Sequence, residues 1–244
     1  RRVFRYQPGR ISGFTFGLKS SVEPISGVAL EWGIANTTDQ YMFKIYAGQL
    51  SIIRRSTVPL SVDVLTRNGL DPTEISSIQI NGRSYNTVQP EIPSGDPFDV
   101  RPGLGPYSSE TEQNERAVNY HTIEIPRDKF NGDPLNGNGP SGYNILPQNV
   151  TMWKIEFGWY GAIGARFYAY IPSGAGEARW VVVHTLVIEN QLGGPCLRDS
   201  YFRFKYSLNV TNNAQLRTPQ YIYKYGASYY CLLYTSDAAD DKQC

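Results

Sequence analysis

The chain has 244 residues, with Lys+Arg 23 against Asp+Glu 22 and a formal net charge of +1. Near-neutrality without any block of like charge argues against nucleic-acid binding and membrane attachment, and no apolar run approaches the ~20 residues a membrane helix needs. Gly 23, Pro 16 and Tyr 18 against Met 2 favour strands and turns over helices.

Period-2 alternation recurs along the chain. In "GFTFGL", Phe14, Phe16 and Leu18 share one face, and in "GVALEWGI" Val28, Leu30, Trp32 and Ile34 do the same. "QYMFKIYAGQLSIIRRST" reads as a hairpin turning at Ala47-Gly48-Gln49. The clearest strand is "VTMWKIEFGWYG", where Trp153, Ile155, Phe157 and Trp159 form one face and Lys154, Glu156 and Gly158 the other. A slip of one residue would put all four apolar side chains in water, so this register is strongly specified. "IGARFYAYIP" returns with Phe167 inward and Arg166, Tyr168 and Tyr170 on the opposite face; "RWVVVHTLVIEN" and "YFRFKYSLNV", with Phe204, follow. The expected core opposite the Trp153 strand includes Phe167 and Phe204. So many strands with short connections predict an all-β fold: antiparallel sheets in a sandwich or jelly roll.

Two segments break the pattern. Residues 61 to about 119 are dense in Pro, Gly and charge, and read as an inserted loop or small lobe carrying one hairpin around Asn81-Gly82. The chain then closes with "YYCLLYTSDAADDKQC". Residues 231–241 of that segment resemble a translated sequencing-library adapter, so 231–244 are expected to be an artefactual tail that adds no element to the sheet. The natural domain is then 1–230, a single sandwich with its insertion. It retains one cysteine, Cys196, too few for an internal disulfide.

Chemistry is sparse. His121 and His184 are the histidines. His184 follows Val182 and Leu186 on a strand face and reads as a satisfied or edge histidine, and no nucleophile elbow accompanies either one. Glu156 lies two residues from Lys154 on the same strand face, which points to a local ion pair. Glu124 in "TIEIP" reads as facing water. The loop "FNGDPLNGNGPSGY" offers oxygen from Asn131, Asp133, Asn136, Asn138 and Ser141, yet Leu135 and Gly137 occupy positions where a calcium loop needs ligands, and no acidic twelfth position follows. A tight, glycine-permitted surface turn is the favoured reading. No catalytic residue, metal site or cofactor is expected.

That loop, the aromatic strand from Trp153 to Gly161, the hairpin ending "SIIRRST" and the closing "HTLVIENQLGGPCLRDSYFRFKYSLNV" resemble, in this order, a pattern in virion structural proteins of contractile-tailed marine cyanophages. The resemblance covers nearly all of residues 1 to 230. It implies a concanavalin-type, lectin-like sandwich within a larger virion protein of the tail, baseplate or fibre. The implied partners are other virion subunits, copies of itself among them, with no nucleic acid or membrane. The implied location is the virion, assembled in the host cytoplasm.

Two functions fit. One is a structural, non-enzymatic virion module acting through protein contacts, with Arg54 and Arg55 at a strand end available to acids on a neighbour. The other is a carbohydrate-binding module for host-surface attachment, with Tyr168 and Tyr170 among the rings that would stack on sugars. A row of three or more exposed Tyr or Trp favours sugar; rings confined to the core favour structure. A sandwich hydrolase would need two carboxylates about 5–10 Å apart in a cleft.

Overall fold

The computed structural model describes residues 10–21, 27–58, 60, 62–70, 78–80, 83–85, 121–159, 164–174, 176–188, 195–210 and 219–232. They form a sandwich of two five-stranded antiparallel sheets. The first sheet runs, in spatial order, β10 (Glu177–Leu186), β9 (Ala165–Gly174), β8 (Thr151–Phe157), β1 (Ile11–Ser20) and β12 (Ile222–Leu232). The second runs β11 (Arg203–Val210), β2 (Val28–Ala35), β3 (Asp39–Tyr46), β4 (Gln49–Ser56) and β7 (His121–Pro126). The expected hairpin of the insertion is a separate pair, β5 (Ile78–Ile80) and β6 (Arg83–Tyr85), with Ile78 opposite Tyr85. At the β3–β4 turn Ala47 and Gly48 both have positive φ (48° and 78°), the two-residue geometry that matches strand twist, so Gln49 already begins β4.

Alternation places the core between the sheets. Trp153, Ile155, Phe157 and Phe167 are fully buried. Trp153 reaches across to Trp32 and Phe43 of the second sheet, at ring separations of 5.2 and 4.7 Å. Such pairs contribute roughly 0.5–1.5 kcal/mol beyond the area they bury. Two expected core residues pack at the margin of this core. Trp159 lies past the end of β8, half-buried, with Nε1 donating to the Leu197 carbonyl at 2.9 Å. Phe204 is half-buried and packs edge-on against Phe14 and Phe16 rather than Trp153.

The insertion does not begin as a loop. Residues Val62–Arg67 form a helix, α1, and Val64, Leu65 and Leu70 are buried in the main core. The Gly69 amide donates to Thr66 O and the Leu70 amide to Leu65 O, with Gly69 at φ 73°. This pair of bonds around a left-handed glycine is the Schellman cap, and Leu65 and Leu70 make its apolar clasp. Most of 71–120 lies outside the described residues.

The C-terminal segment also differs from expectation. Cys231 and Leu232 continue β12, opposite Ser12 and Ile11. Main-chain pairing depends little on side-chain identity, so the strand runs past residue 230 as long as β1 offers a partner. Residues 233–244 lie outside the described residues.

The edge of β10 is covered by side-chain amides. Asn131 pairs with both backbone groups of Thr185, accepting from its N–H at 2.7 Å and donating to its carbonyl at 2.8 Å. Asn68 does the same to Val187, at 2.8 Å each way. Toward the start of the strand Gly132 and Asp133 donate to Val183 O and Val182 O. A Cβ on Gly132 would lie 2.3 Å from Val182 O, so this approach needs glycine. An exposed strand edge invites unwanted pairing, and this clasp covers its 182–187 end.

Candidate functional site: a ring-lined sheet face and a polar cleft

The outward faces of the two sheets differ in kind. On the second sheet, Arg55 of β4 binds Glu31 of β2 at 2.6 and 2.9 Å, spanning β3 over Met42, while Lys44 binds Glu124 at 2.7 Å. Burial pushes the Glu31 carboxyl up, but Arg55, Lys205 and Lys44 outweigh it and hold it below the usual range. Met42 and Ile53 are buried beneath this ionic roof.

The first sheet carries rings instead. Register aligns Trp180, Tyr170, Met152, Gly17 and Gly226 in one rank across five strands. Tyr170 is 38% exposed and stacks at a tilt against Trp180, 5.0 Å away. On the far side of the glycines, a bulge in β12 turns Tyr225 (60% exposed) onto the same face, and Tyr223 (49% exposed) follows, packed at a tilt against Tyr221. Tyr170 and the β12 tyrosines are three strand positions apart, roughly 14 Å. The floor between is shallow. A Cβ on Gly17 would make only ordinary contacts, beginning at 3.6 Å, and one on Gly226 would meet nothing within 4 Å.

The next ranks hold the platform rigid. Lys154 lies 3.9 Å from the Tyr168 ring centre and 4.9 Å from Trp180, and binds Glu156 at 2.9 Å. Glu156 also accepts from Tyr168 and Tyr230, both at 2.6 Å. Burial raises the Glu156 carboxyl, yet these three donors outweigh it and keep it ionised below the usual range. Burial and the same carboxylate push Tyr168 and Tyr230 well above an ordinary phenol. The expected Lys154–Glu156 pair is thus the centre of a larger network. Tyr168, named from sequence as a sugar-facing ring, is largely buried inside that network, whereas Tyr170 stands exposed.

A second concavity, an open cleft of ≈710 Å³, lies beside the β3–β4 turn. Tyr46, Gln49, Glu124, Arg127, Asp128, Asn136 and Asn144 line it. Glu124 is engaged by Lys44 and Ser51, and Arg127 donates to the carbonyls of Pro134 and Leu135.

The remaining candidates are structural. Arg54 and Arg55 do not present themselves to a neighbour: adjacent strand positions point to opposite faces. Arg55 is in the ionic roof. Arg54 is 1% exposed, donating to Val58 O and Cys196 O, while its Nε and Nη1 have no hydrogen-bond partner among the described residues. Asp133 is buried, and its two carboxylate oxygens accept from the amides of Leu135 and Ser141, so it folds the loop. Asn136 accepts from the Asn138 amide within the same loop. His184 does not share a face with Val182. A bulge between them leaves Val182 exposed and His184 fully buried, with Nδ1 accepting from the Asn131 amide. Among the described residues no three His, Cys, Asp or Glu side chains gather as metal ligands, and no helix is long and apolar enough to cross a membrane.

Sequence reasoning missed Trp180, Tyr223, Tyr225, Gly17 and Gly226. The density of Tyr around a glycine in "YIYKYGASYY" was the available signal. Comparison with protein-family models, curated proteins and solved structures found no match.

Proposed function

We propose that this domain is a non-catalytic attachment module of a tailed-phage virion, and that the outward face of its first sheet binds a host-surface polysaccharide. The placement of the rings carries this reading. Tyr170, Tyr223 and Tyr225 are exposed on one face, although the core between the sheets has aromatic neighbours for them. Exposed apolar area in one patch commonly marks a binding site. Sugar rings offer C–H faces that stack on aromatics and hydroxyls that bond to polar groups between them. Trp180, held by Lys154, supports Tyr170, and Tyr221 supports Tyr223, so these rings lose little entropy on binding.

Tyr, Trp and Arg are also what protein interfaces use, so a neighbouring virion subunit is the competing occupant. The test is electrophoresis of the protein through gels containing surface polysaccharide extracted from cyanobacterial cells, with plain gels as reference. Retardation is expected for the wild type. It should be lost in Gly226→Leu, which fills the depression where a Cβ meets nothing, with an unchanged melting temperature. Equal mobility in every gel contradicts the polysaccharide reading and leaves the subunit contact in its place.

A further inference from the structure

We infer that the cleft beside the β3–β4 turn is a second ligand site, taking one uncharged sugar unit, separate from the ring-lined face. The inference rests on the glycan reading for its ligand class, but on different residues, contributed by the other sheet and by the 127–144 loop.

Four observations converge on it. The cleft holds ≈710 Å³, the range of a small-ligand site. Among the described residues the non-glycine residues with positive φ are Ala47 (48°) and Leu135 (54°). Ala47 lines the cleft and Leu135 immediately precedes Asn136, which also lines it. At Ala47 this conformation serves the hairpin turn, whereas at the buried Leu135 it is the kind of backbone strain that gathers at functional sites. The wall is also pinned. Arg127 holds the carbonyls of Pro134 and Leu135, Leu135 is fully buried, and Asn136 bridges to Asn144. Finally, the cleft divides its polar groups into spent and available ones. Glu124 and Arg127 are committed to Lys44, Ser51 and the loop carbonyls. Among the described residues the exposed side chains of Gln49, Asp128 and Asn144 have no hydrogen-bond partner, and the Tyr46 ring (38% exposed), with Lys44 over one side at 5.4 Å, stands beside them.

That set fits a sugar ring. Tyr46 supplies a face to stack on, Asp128 accepts from two neighbouring hydroxyls, and the amides of Gln49 and Asn144 both donate and accept. Charge selects against acidic sugars. Lys44 offsets Glu124 and Arg127, whose bonds go to neutral carbonyls, offsets Asp128, so a carboxylate or sulfate ligand finds no unpaired cation here to repay its desolvation.

The test is amide chemical-shift mapping on the isotope-labelled full chain. The probes are glucose, galactose, mannose, N-acetylglucosamine and glucuronate, each titrated to high concentration. At least one neutral sugar is expected to shift the amides of Ala47, Gly48, Gln49 and Asn144 saturably, and glucuronate is not. Tyr46→Ala and Asp128→Asn should each weaken that sugar at least tenfold; both side chains are exposed, and melting curves confirm folding. The inference is overturned if no neutral sugar shifts these amides, if the shifts persist unchanged in both variants, or if glucuronate binds equally well. Shifts at Gly17 and Tyr170 without shifts at the cleft overturn the second site and leave the ring-lined face standing. Cleft shifts without a response at Gly17 and Tyr170 do the reverse.

Discussion

The phenol of Tyr230 on β12 reaches over β1 to donate to Glu156 on β8, 2.6 Å away, and its ring fills the space a Cβ on Gly13 would take, 2.0 Å from that position. One glycine thus permits a hydrogen bond between strands that are not neighbours. Gly13→Ala should displace the ring, remove one of the donors to Glu156 and cost roughly 1–3 kcal/mol, the usual range for overpacking or an orphaned buried acceptor. Urea denaturation checks this. In a Tyr230→Ala background the same substitution should cost much less; full additivity of the two losses would refute the coupling.

Trp153 sits where the two sheets meet, against Trp32 and Phe43. Trp153→Ala should lower unfolding free energy by about 3–5 kcal/mol. A loss below about 1 kcal/mol is incompatible with the burial described.

Stability should fall with mild acid before the carboxylates titrate. Burial lowers His184 to about 4, and burial together with the Arg54 charge lowers His121 to about 4, from 6.5. Between these values the unfolded chain binds protons that the native chain rejects, so this stability is complete above pH 6.5 and lost as pH drops toward 4. Glu31 and Glu156 are depressed from 4.5 and act only below that. The urea midpoint should therefore decrease from pH 7.5 to 5, and His184→Gln, which keeps an acceptor but no titrating ring, should flatten the decrease. An identical pH profile in that variant would show that His184 is not the group.

The β10 clasp makes a local prediction. Asn131→Ala removes both bonds to Thr185 and should cost about 1–3 kcal/mol. Hydrogen exchange at Thr185 should accelerate while exchange at Trp153 slows or speeds only with global stability. Unchanged protection at Thr185 would mean that the amide is not what seals the edge.

What could be read from the sequence divides by range. The core face of β8 and the β3–β4 hairpin follow from period-2 alternation and a two-residue turn, both local. The same rule, applied to Arg54 and Arg55, would have sent one inward and one outward; reading them as a surface pair ignored it. α1 was hidden because a helix this short shows little 3.6-residue periodicity, although Asn68-Gly69-Leu70 carried the cap. His184 was misplaced by a bulge, which alternation cannot foresee. The Asn131–Thr185 and Asn68–Val187 clasps, and the floor made by Gly17 opposite Gly226, join residues distant in sequence and exist only once register is known.

Trp180 offers the most direct view of the proposed binding face, because it stands half-exposed there against Tyr170 and Lys154 while Trp32 and Trp153 are buried. Its emission should change saturably as cyanobacterial surface polysaccharide is added to the wild-type protein, with the change lost in Trp180→Phe and weakened at least tenfold in Tyr170→Ala. Wild-type emission that stays constant throughout the titration, or an equal response in Trp180→Phe, would contradict polysaccharide binding at this face.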